Sequence, residues 1–509
     1  MTPPISIQEI LLTQGPMRGS KMAGLLSQRG MNPDAARQRI ARVQPPIFRF
    51  PIRLLPKKES FLYLAEQRNS DPYWKAFMEA MRDTGSIFGL AIDGFIARGG
   101  VGTVDSLQVV TGAPIRQKGQ VAAESVIERL TQADIVKKHM EGGREYYGLT
   151  PGIPHNHQSW RALRLAEAVV LDGVREWARR LSVASYDKIE VRSPGVLPRF
   201  GTFNFDVCGP SYLLPLTSAK ADKTKPGFFV ADVFIDSKLG NNSIKYFLRK
   251  IQLLKEMGKF PNFLPMLVAT EFTLEALHAG KRNGVMMATL DNLFGAAVGR
   301  ALKSLVDTLQ NAAAVAAADP DRIGQLLDSL STIEGAAGNL RGALFEMLVG
   351  FLVQQVEGGS IDIGETIYHP ATGQQAEIDV RRVKEKVEVW CYECRGRQPT
   401  NQMSLDEVKD WLVRVDRIAA AHNNLQRFQG AKFGFELWTS GQFENDALEF
   451  LKAEKAKRKR VAINWLDGAA VRTYAQRANR RSILKTLDDH YTKHALTRAL
   501  AIRANTEES

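Results

Sequence analysis

Three things are scarce or missing in this chain of 509 residues: cysteine, long apolar runs and a signal-peptide pattern. Only three cysteines occur, which excludes a scaffold stabilised by disulfides. No apolar run reaches the roughly 18 residues that a membrane-spanning helix needs, so no membrane partner is expected. The amino terminus, MTPPISIQEI, has no basic segment followed by an apolar one. We therefore expect a globular, cytoplasmic protein.

The spacing of the cysteines and the net charge indicate which ligands are expected. Cys391 and Cys394 form one CxxC pair, but no second pair follows at zinc spacing, so we interpret them as structural residues of a strand. The net charge of +13 predicts a polyanionic partner. The excess of basic over acidic residues is uneven: residues 1–50 carry seven basic and two acidic side chains, and residues 451–509 carry fourteen and six. Within the second range, KAEKAKRKR is more typical of a solvated helix face than of a phosphate-binding patch.

The segment 376–397, AEIDVRRVKEKVEVWCYECRGR, predicts two strands joined by a charged turn. Side chains alternate along a strand, so Glu377 and Asp379 share one face, as do Glu393 and Arg395. If the strands are neighbours, three carboxylates and one guanidinium converge, which suits a metal site for phosphodiester chemistry. From these strands alone, the simpler alternative is a solvated hairpin with cross-strand ion pairs.

The elements around this hairpin favour the metal site. Upstream, RGALFEMLVGFLVQQV has apolar residues at helical spacing and carries Glu346. Downstream, SLDEVKDWLVRVDRIAAAH predicts a second helix, with Ser404 and Glu407 in a capping-box pattern. A strand KFGFELWTSG, a helix NDALEFLKAEKAK and a strand RVAINWLDGAAV closed on a turn follow. The predicted order is α-β-β-β-α-β-α-β.

In this order, the segment from about 330 to 475 resembles the Mrr-type catalytic domain of the PD-(D/E)xK nuclease superfamily. The elements that carry the resemblance are Glu346, the Ile378-Asp379 pair, Glu393 with Arg395, and Thr439-Ser440-Gly441. The resemblance implies that Asp379 and Glu393 bind Mg2+, or Mn2+ in its place, with the backbone carbonyl of Cys394 as a further ligand. It also implies that Glu346 orients or ligates a second metal or a water.

Arg395 departs from the family, in which lysine usually stands at this position. Arginine stays protonated and is no general base, but it can stabilise negative charge on a phosphate. The resemblance therefore implies a Mg2+-dependent endodeoxyribonuclease, and it leaves an inactive nuclease fold as the alternative. The catalytic residues that it implies are Glu346, Asp379, Glu393 and Arg395.

The first 70 residues predict three helices followed by a strand-rich wing. The third helix, PDAARQRIARV, has Asn32 as its cap and Pro33 at the first helical position. Alternating apolar residues in PPIFRFPIRLLPKKESFLYL predict the wing. The segment resembles a winged-helix domain, whose third helix faces a DNA groove. The DNA-binding candidates on that helix are Arg37, Arg39 and Arg42.

Residues 71–155 resemble a second winged helix, with predicted helices followed by a hairpin that turns at Gly142-Gly143. The alternative for each copy is a small helical module that packs against protein and does not touch DNA.

Residues 156–297 repeat the order of the nuclease-like segment with little identity. The corresponding positions are Asp206 for Asp379, Asp232 for Glu393, Phe234 for Arg395 and Glu176 for Glu346. Because Phe234 removes the cation, we predict a degenerate, noncatalytic nuclease-like domain. An alternative register uses Asp236 with Lys238 and restores an Asp-x-Lys triplet.

Together these segments predict a multidomain protein of α/β and α+β class. Its parts are winged-helix-like domains at 1–70 and 71–155, the degenerate nuclease-like domain at 156–297, a helical connector at 298–335, the nuclease-like domain at 336–478 and a basic helical tail at 479–509. We expect a DNA-binding, metal-dependent endonuclease in restriction or anti-phage defence, acting as a homodimer or with other proteins of a defence system. The alternatives are a noncatalytic DNA-binding regulator or scaffold and an RNA-processing nuclease.

Overall fold

The computed structural model describes residues 6–492 except 142–143, 151–156, 194, 221–222, 236–237, 313–314, 316–318, 320, 331–335, 369–374, 385–387, 398–400, 424–429 and 460. The described chain is of mixed α/β class, as predicted. It divides into two compact units, one of residues 1–139, 145–155 and 178–289 and one of residues 140–144, 156–177 and 290–509. The finer six-part division remains a prediction. In the described part of the chain, no helix is both long and apolar enough to cross a membrane.

The first unit opens with two modules of the same order: helix, short strand, two helices and two strands. The first module consists of α1 (Ile7–Gln14), β1 (Met17–Arg18), α2 (Gly19–Gln28), α3 (Pro33–Ala41), β2 (Ile47–Arg49) and β3 (Phe61–Leu64). After α4 (Asp71–Asp83), the second consists of α5 (Ile87–Ala97), β4 (Val101–Gly102), α6 (Val104–Val110), α7 (Ala123–Gln132), β5 (Val136–Glu141) and β6 (Arg144–Leu149). The strand orders β1-β3-β2 and β4-β6-β5 are equivalent.

The two modules differ in what they bury. The first encloses a small apolar core around Leu26, and one side of β3, with Phe61 and Tyr63, belongs to the larger cluster of this unit. The second shares one continuous apolar core with the sheet that follows it, because Phe95 and Val109 belong to the same cluster as Phe205 and Phe247. This shared burial favours the packing alternative for the second module.

The remainder of the first unit is built around a five-stranded sheet of order β17-β15-β13-β10-β7. Helix α8 (His157–Arg180) precedes it and contributes its last residues to this unit. Its strands are β7 (Glu190–Val191), β8 (Arg199–Phe200), β9 (Phe203–Asn204), β10 (Val207–Ser211), β11 (Ser218–Lys220), β12 (Lys223–Lys225), β13 (Gly227–Val233), β14 (Lys238–Leu239), β15 (Phe263–Ala269), β16 (Glu271–Phe272) and β17 (Met286–Thr289). Its helices are α9 (Asn241–Met257) and α10 (Leu274–Arg282).

The second unit has a five-stranded sheet of order β18-β19-β20-β22-β24. Its helices are α11 (Leu290–Phe294), α12 (Ala296–Gln310), α13 (Asp321–Leu330), α14 (Ala336–Glu357), α15 (Leu405–Asn423), α16 (Asn445–Lys457), α17 (Gly468–Arg477) and α18 (Arg481–Leu487). Its strands are β18 (Ser360–Tyr368), β19 (Gln375–Lys384), β20 (Glu388–Arg395), β21 (Gln402–Met403), β22 (Lys432–Thr439), β23 (Gln442–Phe443) and β24 (Ala462–Leu466).

The predicted order of elements is confirmed from α14 to β24, and the structure adds the two-residue strands β21 and β23, which were not predicted. One prediction at the end of this series is wrong, because the residues after β24 begin helix α17 and do not form a simple turn. The side chain of Asp467 accepts a hydrogen bond from the amide of Ala470 at 2.8 Å, which caps that helix.

The two sheets have the same topology. In each, three antiparallel strands are followed by two parallel ones, and a helix, α9 or α15, leads from the third strand to the fourth. Each sheet also has a two-residue parallel pair beside it, β14 with β16 and β21 with β23. The architecture is therefore duplicated, as the order of the sequence predicted, and positions can be matched by strand register.

Candidate functional site

In the second sheet, two acids meet where β19 and β20 run side by side. Val380 pairs with Tyr392, which places Asp379 across from Glu393. The backbone amide of Cys394 donates to Oδ2 of Asp379 at 2.8 Å and holds that carboxylate against β20. The strand register thus brings together the two acids that the sequence singled out.

Two arginines contact the same oxygen, Oε1 of Glu393. Arg395 binds it from the same strand, and Arg414 of α15 lies 2.8 Å away. Arg395 is also 3.7 Å from Oδ2 of Asp379. The side chains of Asp379 and Glu393 are only 9% and 5% exposed, whereas both arginine side chains are 33% exposed. The cations therefore form the solvent side of the acid pair.

Burial beside other acids changes the protonation of Glu393. Burial, together with the charges of Asp379 and Glu377, raises the pKa of Glu393 to about 7. The positive charges of Arg395 and Arg414 act in the opposite direction and do not outweigh it. Burial, the largest cause, therefore favours the neutral form of Glu393, and a cation bound to the carboxylate would favour the ionised form.

Glu346 of α14 belongs to the same group of charges. Its side chain is buried. Burial raises the pKa of the Cys394 thiol well above its usual value, and the charges of Asp379 and Glu346 add to that effect. The open site is defined here as Glu346, Glu377, Asp379, Glu393, Arg395 and Arg414. With all four carboxyl groups ionised, the two guanidinium groups leave it a formal charge of −2.

Local structure positions both arginines of the open site. After β22, the amide of Ser440 donates to the carbonyl of Arg395 at 3.1 Å and fixes the end of β20. At the start of α15 the predicted capping box is present. The amide of Ser404 donates to the carboxylate of Glu407 at 3.0 Å, and the amide of Glu407 donates to the hydroxyl of Ser404 at 3.4 Å. This cap sets where the helix begins, and therefore where Arg414 lies along it.

The equivalent positions of the first sheet form a second acid pair. The strand register places Asp206 across from Asp232. The amide of Val233 donates to Oδ2 of Asp206 at 2.9 Å, the counterpart of the Cys394 contact. The register therefore agrees with the sequence comparison. The matched positions are Asp206 with Asp379, Asp232 with Glu393 and Phe234 with Arg395.

The alternative register of the first sheet does not bring its cation to this acid pair. Lys238 lies on β14, where its ammonium pairs with Glu271 at the surface. Asp236 lies outside the described residues. Glu176, the proposed counterpart of Glu346, lies near the end of α8 and pairs with Arg175 at 3.3 Å.

Three cations close the acid pair of the first sheet. Arg98, which follows α5, binds Asp206, and Nε of Arg192 lies 2.6 Å from the same carboxylate. Burial favours the neutral acid, but Arg98 and Arg192 outweigh it and lower the pKa of Asp206. Lys250 of α9 lies 2.7 Å from Asp232 and donates to two backbone carbonyls as well. The sealed site is defined as these two acids and three cations, whose side chains are almost completely buried: Arg98, Arg192, Asp206, Asp232 and Lys250.

Lys250 and Arg414 occupy matching positions on the helices that follow the third strands of the two sheets. Each lies on the helix after the third strand, eleven residues beyond Leu239 and Met403 of the short parallel pairs. Each contacts the acid of the third strand, at 2.7 Å and 2.8 Å. Sequence reasoning did not single out either residue. Matching the two helices from their first residues would have aligned them.

The arginines predicted to bind DNA lie on α3 or at its end. Arg37 is exposed and pairs with Asp34 at 3.2 Å, Arg42 is exposed, and Arg39 is half-buried. Arg49 has a structural role, since its guanidinium donates to the last carbonyl groups of α3. The first module therefore presents a basic helix.

The matching helix of the second module has a different charge. Helix α7 carries two acids, Glu124 and Glu128, and one arginine, Arg129. The guanidinium of Arg129 lies over the ring of Phe88, 6.0 Å from its centre. This helix does not have the basic character expected of a DNA-reading helix.

No family model, curated protein or solved structure matches this chain. Within the residues that the structure describes, no three or more acidic, histidine or cysteine side chains form a ready-made metal site.

Proposed function

We propose that this chain is a DNA-binding, metal-dependent endonuclease of the PD-(D/E)xK type, acting in restriction or anti-phage defence. The observation that carries the proposal is the open site, in which two buried carboxylates face each other and two partly exposed arginines border them. The resemblance of residues 330–475 to Mrr-type nucleases supplies the reaction class. The confirmed order of elements from α14 to β24 is compatible with that fold.

The donor groups of the open site suit a divalent cation. Carboxylate and carbonyl oxygens are the hard ligands that Mg2+ and Mn2+ prefer, and the formal charge of −2 favours such an ion. Asp379, Glu393 and the carbonyl of Cys394 would hold it, and Glu346 would orient a water or a second ion. When bound, the ion supplies Lewis acidity toward the scissile phosphate and the attacking water.

Arg395 would stabilise the phosphate during attack. Negative charge develops on the phosphoryl oxygens in this reaction, and a permanently protonated guanidinium in a partly desolvated site stabilises it. Its position beside both Asp379 and Glu393 places that charge next to the acids. Arg395 thus takes over the electrostatic role of the family lysine, but it accepts no proton.

The first module would provide the DNA contact. Its order of helices and strands is that of a winged helix, and its third helix carries Arg37, Arg39 and Arg42. The net charge of +13 adds an attraction for phosphates that does not depend on sequence. The second module and the first sheet would then act as a structural platform.

A noncatalytic DNA-binding regulator or scaffold is the second candidate function. The observation that favours it is the contact of Oε1 of Glu393 with both Arg395 and Arg414. These guanidinium groups already balance part of the acid charge, so a metal ion would have to share or displace them. In this case the open site is a structural ion cluster, and the protein binds DNA without cutting it.

Cleavage assays distinguish the two candidates. Plasmid, linear duplex, single-stranded DNA and RNA are incubated with the protein in Mg2+ or Mn2+, using wild type, Asp379→Asn and Glu393→Gln. Asp446→Asn, at an exposed acid in the first turn of α16, is the matched control. We expect the two site variants to cut about 100-fold more slowly than wild type and the control to match it.

Equal cutting by the site variants would contradict the assignment of Asp379 and Glu393. DNA binding without cutting by any form would favour the scaffold. Cutting of RNA alone would favour the RNA-processing alternative.

A further inference from the structure

We infer that Arg414 is a second residue that binds the phosphate of the nucleic acid in the open site. The inference rests on the proposed nuclease function and extends it, because the resemblance identified only the strand residue Arg395. Its basis is the position of the guanidinium, which contacts a buried acid yet belongs to a side chain that is 33% exposed. Arg414 therefore lies where a substrate phosphate would arrive from solvent.

The duplicated sheet supports a special role for this position. Its counterpart Lys250 is 1% exposed, and its hydrogen bonds go to Asp232 and to two backbone carbonyls inside the fold. A cation thus occurs at the same place in both sheets, but only the one in the open site can reach solvent. The guanidinium has five N–H groups in a planar fork, so Arg414 can retain Glu393 and still bind a phosphate.

The geometry of Glu393 shows why the two arginines could act together. Arg395 and Arg414 both contact Oε1 of this one carboxylate. Because they converge on a single oxygen atom, an anionic group beside that oxygen meets both guanidinium groups at once. A phosphodiester has two non-bridging oxygens that share one negative charge, and each oxygen can accept a hydrogen bond from one guanidinium group. Arg395 approaches from a strand and Arg414 from a helix with a defined cap, so both come from regular elements.

DNA binding tests this inference directly. The affinity for a short duplex is measured with Ca2+ in place of Mg2+, over a series of salt concentrations, for wild type, Arg414→Gln and Arg414→Lys. Arg417→Gln is the matched control, because Arg417 is exposed on the same helix and undergoes the same change of charge. Arg414→Met provides a second neutral variant in case the glutamine variant fails to fold.

We expect Arg414→Gln to bind about 10-fold more weakly, because it removes a hydrogen bond between charged groups. The slope of log affinity against log salt should fall by about 0.9, the value for one bound phosphate. Arg414→Lys should recover most of the affinity, since lysine also binds phosphate, and Arg417→Gln should match wild type.

Wild-type affinity and salt slope in a folded Arg414→Gln or Arg414→Met variant would overturn the inference. The same result accompanied by normal wild-type cutting would leave the proposed nuclease function standing. If wild type binds no nucleic acid, the inference and the proposed function both fail. If wild type binds but does not cut, cleavage fails while the affinities still decide the role of Arg414.

Discussion

In the first sheet, Asp206 and Asp232 are completely buried and are held by cations that are themselves almost fully buried. In the second sheet, the matching acids Asp379 and Glu393 are bordered by arginines that reach solvent. The backbones around the two pairs follow the same topology and register. The difference therefore lies in a few side chains: Phe234 stands in place of Arg395, and Arg98 is added after α5.

This comparison separates an ion cluster that is closed to solvent from one that solvent can reach. A buried charge is tolerated only when its partners and hydrogen bonds are complete, as they are around Lys250 and Asp232 in the sealed site. Burial raises the pKa of Asp232 in the sealed site as well as that of Glu393 in the open site, so the pKa does not distinguish them. The difference is that the arginines of the open site reach solvent.

Breaking the sealed site should change stability the most. Asp232→Ala leaves the ammonium of Lys250 buried without its carboxylate, and we expect a loss of about 3 to 5 kcal/mol in the stability of the first sheet. Hydrogen exchange of that sheet measures the loss without assuming that the whole chain unfolds together. Glu393→Ala should cost the second sheet less than about 1 kcal/mol, because its arginines can be hydrated. Equal losses would contradict the distinction between the two sites.

A smaller effect concerns the pH dependence of the open site. The pKa of Glu393 is raised to about 7 in the folded chain, so the folded state binds more protons than the unfolded state between about pH 4.5 and 7. Below this pH range Glu393 is protonated in both states and does not destabilise the fold. As pH rises through the range, the folded chain loses stability. In metal-free buffer, Glu393→Gln should be more stable than wild type by about 1 to 3 kcal/mol at pH 8, with little difference at pH 4.

This second prediction is checked by hydrogen exchange or calorimetry at both pH values. A Glu393→Gln variant that gains no stability over wild type at pH 8 would show that the arginines fully balance the acid. The open site would then resemble the sealed one.

The two modules extend the comparison, with a more modest effect on DNA affinity. Replacing Arg37, Arg39 and Arg42 together with glutamine should weaken DNA binding about 10-fold and lower the salt slope by about 0.9 for each phosphate that the variant no longer binds. Arg129→Gln on α7 should leave binding unchanged, because this helix is not basic. A greater loss of affinity from Arg129→Gln would move the DNA interface to the second module.

Local signals in the sequence were enough to predict most of the elements. The capping pair Ser404 and Glu407 marked the start of α15, and Asn32 with Pro33 marked the start of α3. The alternation of side chains along β19 and β20 placed the acids on shared faces. The turn predicted after β24 was wrong because Asp467 was not recognised as a helix cap.

The cations around the acids could not be derived in the same way. Arg98 meets Asp206 across 108 positions of the chain, and this contact depends on how the second module packs on the first sheet. Arg414 reaches Glu393 because the packing of α15 brings its tenth residue to the acid of β20. Such contacts are set by tertiary packing, which periodicity and capping patterns do not encode. The duplicated order of the two sheets was the one signal that could have aligned Lys250 with Arg414.

Mn2+ binding to the wild-type chain and its variants decides whether the open site is a metal centre. We predict saturable binding in wild type, loss of that binding in Asp379→Asn and Glu393→Gln, and retention in the exposed control Asp446→Asn. Electron paramagnetic resonance of free Mn2+ during a titration reports the binding without any need for activity. Absence of binding in wild type, or unchanged binding in Asp379→Asn, would contradict the proposal that the open site holds a catalytic metal ion.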